Sequence, residues 1–423
     1  MEIAVTKSQS VASRATKTHV LPFVLVTGLF FLWGMAHNLD SILIPHLKKA
    51  CNLTNSQSAL VDTSVFFAYF IMAIPAGLLL KRLGYKRCII IGLLVFACGA
   101  YLFVPAANNL SYVIFLVALF IIGCGLAILE TTANPYAAVL GSSETAGSRL
   151  NLAASFNGLA AMVAPIVGAN FILSGKEYSK ETLAAMQETT RLRYFMEEAA
   201  SVKLPYIILG TVLLLIAVVF IFIKFPEFKQ QEHVEKDSFF SVLKYKNLSF
   251  GVVAQFFYVG AQVCITSFFI RMAQQGASVD EKTAGYYLGI YGFLFMVGRF
   301  VGTFLLRFLS SRKLLIVFAS FAVFLCLVAI LGEGMVVIYA LGSIGFFMSI
   351  MFPTIFALGI EGLGAQTKVA SSWLIMSVVG GAILPYAMGS LIDYTGDRTQ
   401  IGYIVPFTCF LVVLVYGWRG GSE

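Results

Sequence analysis

The sequence predicts an all-α membrane protein of twelve transmembrane helices in two pseudo-symmetric six-helix bundles, and three observations carry that prediction. Hydrophobic residues make up 59% of the 423 positions and charged residues only 12%, far too apolar a balance for soluble domains. Apolar stretches of roughly 20 residues, the length that spans a bilayer, recur along the whole chain between short polar or glycine-rich breaks. The two halves also echo each other. "GLLLKRLGYKR" (77–87) and "GTFLLRFLSSR" (302–312) both begin with Gly and carry Arg at the sixth and eleventh positions, so Arg82 matches Arg307 and Arg87 matches Arg312. "NPYAAVLG" (134–141) is echoed in the same way by "FPTIFALG" (352–359). Symmetry of this order marks a transporter built from two parallel repeats, with its substrate site between them near the bilayer midplane.

Taken in order, the expected spans are 21–46, 57–80, 87–106, 111–140, 149–173, 204–224, 249–274, 283–308, 312–332, 334–360, 368–393 and 400–418. The polar, basic tail (1–20) resembles the charged start of a signal peptide, but the apolar run after it is too long and no small-residue cleavage site follows, so it is read as a retained first helix. An even number of spans leaves both termini on one side. Lys and Arg gather on that side, in the tail, in "KRLGYKR" (81–87), in 224–246 and in "RFLSSRK" (307–313), which the positive-inside rule reads as cytoplasm. The charged stretch 225–248 is read as a linker between an N-terminal six-helix domain (21–224) and a C-terminal one (249–418), with a short tail at 419–423. The mixed charges of 174–203 fit either a short surface helix outside the membrane or a solvated loop.

The formal charge of +8 sits in the breaks between spans, so it reports topology and not nucleic-acid binding. The cysteines at 51, 88, 98, 124, 264, 326 and 409 are odd in number, lie mostly in apolar segments and show no CxxC spacing, so neither disulfides nor a metal site are expected. No Walker A loop, HExxH, GxSxG or dinucleotide fingerprint is present. The chain is therefore read as no enzyme, with no cofactor and an ion gradient as its energy source.

Polar residues inside the spans are the candidates for function. An acid at the centre of a spanning helix costs ~2.5–3.5 kcal/mol on insertion scales, and Glu130 in "GLAILETTANPYAAVLG" (125–141) is such an acid. A lipid-excluded acid can hold a proton and release it when its surroundings open to water, so Glu130 is read as a proton-coupling group, the alternative being a structural acid bonded to a neighbouring helix. Asn134, four residues on, shares its face, and Pro135 frees a backbone carbonyl. In the first span, "AHNLDSILIP" (36–45), His37 and Asp40 face one way, as do Asn38 and Ser41. Asp40 is either a second proton or substrate group or the partner of His37. Asn157 lies among small residues in the fifth span. In the seventh, Gln255, Tyr258, Gln262 and Thr266 form a polar stripe suited to a hydroxyl-rich ligand or to an interhelical seam. Phe66, Phe67 and Tyr69 could wall a site. Arg299, the one basic residue deep in a span, is read as half of a structural or gating ion pair, with substrate binding as the alternative, and Arg82 and Arg307 are read as gating or structural. Asp62 and Asp393, near span ends, are read as ordinary helix-end acids.

The blocks "FFLWGMAHNLDSILIPHLKKA", "AYFIMAIPAGLLLKRLGYKR", "GLAILETTANPYAAVLG", "RLNLAASFNGLAA", "AQFFYVGAQ" and "FPTIFALGIEGLGAQTKVASSWLIMSVVGGAILP" strongly resemble the L-fucose permease family, the fucose, galactose and glucose proton symporters of the major facilitator superfamily. The resemblance runs from about residue 20 to the C-terminus. It implies a major facilitator fold, alternating access, and proton-coupled uptake of a monosaccharide across the inner membrane. The family's acid in the fourth helix corresponds to Glu130 and its sugar-contacting Asn in the fifth to Asn157, while Asn38 matches an Asn of its first-helix motif. The family's first-helix acid falls on Ser41, one position past Asp40, which turns the carboxylate ~100° around the helix. Lys81 stands where the superfamily's loop motif carries an Asp.

The resulting expectation is a proton symporter for L-fucose or a related sugar (galactose, glucose, N-acetylglucosamine). Glu130 and Asp40 couple the proton, and Asn38, Ser41, Asn134, Asn157, Gln255, Tyr258 and Gln262 bind the sugar. Its partners are the monosaccharide, protons and the lipid bilayer, and it acts as a monomer. Sodium coupling and a non-transporting sugar sensor are the alternatives.

Overall fold

The computed structural model describes residues 20–141, 146–175, 178, 180–223, 226, 240–363 and 366–419. Residues 1–19, 227–239 and 420–423, which hold the expected tails and most of the expected linker, lie outside the described residues. The first half comprises α1 (Val20–Ala50), α2 (Asn55–Asn108), α3 (Tyr112–Val139), α4 (Ala146–Phe171), two short helices α5 (Lys180–Ala185) and α6 (Glu188–Ala200), and α7 (Lys203–Phe222). The second comprises α8 (Lys246–Ala277), α9 (Glu281–Leu305), α10 (Ser311–Leu331), α11 (Met335–Met348), α12 (Met351–Ile360), α13 (Thr367–Met376), α14 (Gly380–Tyr394), α15 (Thr399–Gly402) and α16 (Ile404–Arg419).

The 54 residues of α2 are two spans and not one. Gly84 interrupts the helix at φ 74° and ψ 176°. A Cβ placed on Gly123 of α3 would lie 2.8 Å from the Ala68 Cβ, and one on Gly125 would lie 2.8 Å from the Phe96 Cβ. Ala68 and Phe96 would be ~42 Å apart along a straight helix, so their meeting neighbouring residues of α3 requires the chain to fold back at Gly84. Eleven helices among the described residues are long and apolar enough to cross a membrane, and the folded α2 supplies the twelfth crossing. The ends near residues 20, 84 and 222 form one face, here called proximal; those near 50–55, 110 and 394–404 form the distal face.

Three expected single spans are broken. The tenth divides into α11 and α12 at Ser349–Ile350, the eleventh passes through a 3-10 turn at Ser377–Val379, and the twelfth begins with the short α15. Ser349 and Ser377 each turn their hydroxyl back onto a carbonyl three residues earlier, at Phe346 and Leu374, competing with the helical ladder. The segment read as a surface helix or a loop contains α5 and α6, and α6 is anchored: Glu198 is only 3% exposed and pairs with Lys49 at 3.0 Å. At the start of α2, Thr54 and Gln57 form a reciprocal capping box, which satisfies two otherwise orphaned N–H groups.

The halves meet along α4 with α9 and along α2 with α14, which are the fifth span with the eighth and the second with the eleventh, the two pairings that a six-span repeat interchanges. Contact is close enough that a Cβ on Gly292 would lie 2.2 Å from the Ala161 carbonyl oxygen. Replacing Gly84 by Val is expected to cost roughly 1–2 kcal/mol, because the turn demands a positive φ. Gly77→Ala, at a helical site with nothing within 4 Å of the added Cβ, should leave stability unchanged or raise it by up to ~1 kcal/mol. Thermal unfolding in detergent checks both, and equal shifts would contradict the turn assignment.

Candidate functional site

Glu130 lies at mid-span in α3 and is half-buried. Tyr69, from the first arm of α2, lies beside it, and Asp40 of α1 lies within electrostatic reach of the same tyrosine. Asn38 turns back along its helix to donate to the Gly34 carbonyl at 2.7 Å. Gly34 is also where α4 touches α1: a Cβ there would be 3.0 Å from the Asn157 amide nitrogen. Glu130, Asp40, Asn38 and Asn157 thus occupy the mutually packed α1, α3 and α4. Ser41 is buried beside Asp40, and Asn134 is half-buried one turn past Glu130.

The stripe on α8 divides. The Tyr258 ring is fully buried and its hydroxyl donates to the Met348 carbonyl at 2.9 Å, so it ties α8 to the break between α11 and α12. Gln255 is 0% exposed, yet neither its amide nitrogen nor its oxygen has a hydrogen-bond partner. Gln262 is half-buried, and no hydrogen bond of its amide is found among the described residues. Thr266 bonds back to Gln262 and Val263. A buried amide with neither atom bonded is costly, which makes Gln255 the polar group most in need of a partner.

Several expected pairings do not form. Arg299 has no carboxylate partner among the described residues: it donates to the Ser349 carbonyl at 3.5 Å and lies over the Phe295 ring at 5.1 Å, because the helix break leaves carbonyls there in need of a donor. Arg82 and Arg307 are exposed at the proximal end, and neither forms an ion pair among the described residues. His37 meets the edge of Phe66, with ring centroids 5.4 Å apart, instead of pairing with Asp40, and its buried Nδ1 has no partner. Phe67 faces outward, stacked on Phe70. An apolar pocket of about 280 Å³ between α1, α4 and α7, lined by residues such as Phe31, Met35, Val167, Phe171 and Ile208, contains none of the expected polar side chains and is not the candidate site. Among the described residues no His, Cys, Asp or Glu group is arranged to hold a metal, and the seven cysteines are free.

A polar seal closes the distal face. Asp393, at the end of α14, accepts from the Asn55 backbone N–H at 2.9 Å and side chain at 2.7 Å, and from the Ser56 N–H at 2.8 Å and hydroxyl at 2.7 Å. It is therefore a cross-half cap on the N-terminus of α2 and not an ordinary helix-end acid. Asp397 accepts from Asn55 at 2.7 Å and Arg271 at 3.0 Å, with Lys48 at 3.6 Å. Burial pushes the Asp397 carboxyl up, but these partners outweigh it and hold it below the usual aspartate range. A second node joins Lys49 to both Glu198 and Glu281 at 3.0 Å, with His46 3.8 Å from Glu198. Sequence patterning offers no signal for these partners, since charges at span ends ordinarily read as interfacial anchors. At the proximal end Arg149 donates to the Ala137 and Ala138 carbonyls and so caps α3.

Two six-span halves in pseudo-symmetric contact, with polar side chains at mid-span and a polar seal at one face, define a membrane transporter. The chain belongs to the Major Facilitator Superfamily, whose family model matches residues 25–385. It is 39% identical over 411 residues to the L-fucose-proton symporter of Escherichia coli K12, covering 95% of this chain and 93% of that one. It is 38% identical over 410 residues to a glucose/galactose transporter of Brucella abortus, covering 96% of each. The crystal structure of the transporter FucP in an outward conformation superposes with a TM-score of 0.71 at 38% identity, over 96% of this chain and all of that one. An inward-facing bacterial homologue of the lysosomal transporter Spinster superposes with a TM-score of 0.73 at 14% identity, covering 95% of this chain and 96% of its own, a likeness of fold alone.

Replacing Asp393 by Ala removes the acceptor of four hydrogen bonds between the halves. Hydrogen exchange at residues 55–58 is expected to accelerate severalfold, and an unchanged rate would argue against a seal. A depressed carboxyl contributes fully above its ordinary value, about 3.9, and loses its contribution as the pH falls through the depressed one. The Asp397 part of the seal should therefore hold constant from neutral pH down to about 4 and fail only below that.

Proposed function

We propose that this chain is a proton-coupled symporter of L-fucose or a related monosaccharide such as galactose, glucose or N-acetylglucosamine. The observation that carries the proposal is Glu130: an acid at mid-span beside the Tyr69 side chain, with no ion pair to a basic side chain among the described residues. The names of relatives sharing more than a third of its residues support the same reading. The protein acts by alternating access in the inner membrane as a multi-pass monomer with cytoplasmic termini, driven by a proton gradient without a cofactor.

The sugar and a proton enter while the distal face is open. Glu130 takes the proton, with Asp40 as the second coupling acid, while the hydroxyls of the sugar engage the amides of Asn38, Asn157, Gln255 and Gln262. Amides suit this task because each both donates and accepts, and the buried Gln255 amide gains the bonds it lacks. Ser41 and Asn134 border the acids, and Tyr258 shapes the site through its tie to Met348. Arg82, Arg299 and Arg307 serve the proximal gate and the helix break. Closing the distal seal and opening the proximal side then releases both substrates.

Adding the transported sugar to lightly buffered, de-energised cells that make the protein should turn the medium alkaline. No response to L-fucose, D-galactose, D-glucose or N-acetylglucosamine, from folded protein in the membrane, would overturn the proposal. Glu130→Gln, fixed in a neutral form, should keep sugar exchange but lose uphill accumulation; undiminished accumulation would remove its coupling role. Asn157→Ala, which deletes one sugar bond worth roughly 1–2 kcal/mol, should raise the KM for uptake by about five- to thirtyfold with the folded yield unchanged.

A further inference from the structure

Asp62 has no place in the seal or among the residues assigned to the sugar, yet it is the deeper acid joining the halves. It lies on the first arm of α2, 3% exposed, and accepts a hydrogen bond at 2.6 Å from Ser267 of α8, itself 1% exposed. Next to it, Thr63 donates to the Ala382 carbonyl of α14 at 2.7 Å, so this turn of α2 is stitched to two helices of the other half. Asn55, which meets Asp393 of α14 at the rim, lies nearly two turns away along α2. The position is therefore inside the seal and on the way to the interior acids.

The titratable groups within electrostatic reach of Asp62 are Asp40 on α1, Tyr112 on α3 and Cys264 on α8. All are neutral or acidic, and among the described residues no Lys, Arg or His forms an ion pair with Asp62. An ionised carboxylate buried here would have one hydroxyl donor to offset its lost hydration and a second acid close by. A protonated carboxyl avoids that cost and still accepts the Ser267 bond through its carbonyl oxygen. When the halves part at the distal face, the same acid meets water and can ionise freely.

We infer that Asp62 is a further coupling acid, beside Glu130 and Asp40, whose bond to Ser267 closes the distal side with a proton aboard, so that distal closure takes up a proton and distal opening releases it. The inference rests on the symport reading but is tested apart from it, because the conformational readout needs no sugar. It assigns the pH response to the stitch beneath the rim, since the Asp397 contribution to the rim is constant across the neutral range.

The experiment uses the full chain in lipid vesicles, with genetically encoded spin labels at Leu110 and Glu333, which lie on distal turns of opposite halves. Distances between them are recorded from about pH 5.5 to about pH 8.5, the interval in which linkage to a buried acid is visible. The wild-type chain should move from the short to the long distance as pH rises. Asp62→Asn, which keeps an acceptor without the charge, should stay mostly at the short distance throughout. Ser267→Ala, which removes the bond, should open at lower pH than wild type. A wild-type distance independent of pH, or an Asp62→Asn chain that follows the wild-type curve, would overturn the inference. A pH-driven distance change that depends on Asp62, without sugar-driven alkalinisation, would retain this coupling and remove the symport reading; alkalinisation with a pH-independent distance would do the reverse.

Discussion

Hydrocarbon offers a peptide group or a carboxyl nothing to bond to, and most of this structure follows from that constraint. Backbone groups must be satisfied within each span, which forces helices throughout the bilayer. Where the ladder breaks, at Ser349–Ile350, the freed carbonyls recruit the Tyr258 hydroxyl and the Arg299 guanidinium. The same constraint acts on side chains. Glu130, Asp40, Asn38 and Asn157 can be present only because α1, α3 and α4 turn them toward one another and away from lipid.

The polar contacts between the halves divide by depth. At the distal rim, the acids are well supplied with donors: four converge on Asp393, and Asp397 faces Arg271 and Lys48. Such matching makes the rim strong and nearly indifferent to pH in the neutral range. Deeper in, no cation pairs with the acids among the described residues: Asp62 accepts from the Ser267 hydroxyl, and Glu130 lies beside Tyr69. A hydroxyl can bond a carboxyl in either protonation state, whereas a cation favours only the ionised one. Partner chemistry thus separates the groups that hold the molecule closed from those that can exchange protons. Between rim and interior, the close approach of Gly292 to Ala161 sets how the two halves bear on each other.

By itself the sequence determined the membrane class, the crossing segments, the two-fold repeat and the identity of Glu130, Asp40, Asn38 and Asn157 as polar residues out of place in lipid. These were legible because the cost of burying polarity in hydrocarbon leaves a one-dimensional trace: apolar runs of fixed length, and rare exceptions within them. The extent of the breaks in the later spans was not legible, since a serine that bonds back onto its own helix looks the same in sequence as one that does not. Only the tertiary structure decided the partners. Asp62 and Asp393 look like similar helix-end acids in the sequence, but the packing of α2 against α8 and α14 makes one a buried stitch and the other a cap. Arg299 looks like half of an ion pair, and Lys49 and Glu198 like separate surface charges. Each of these roles depends on a residue tens to hundreds of positions away, and the bond geometry that fixes it exists only once the helices have packed.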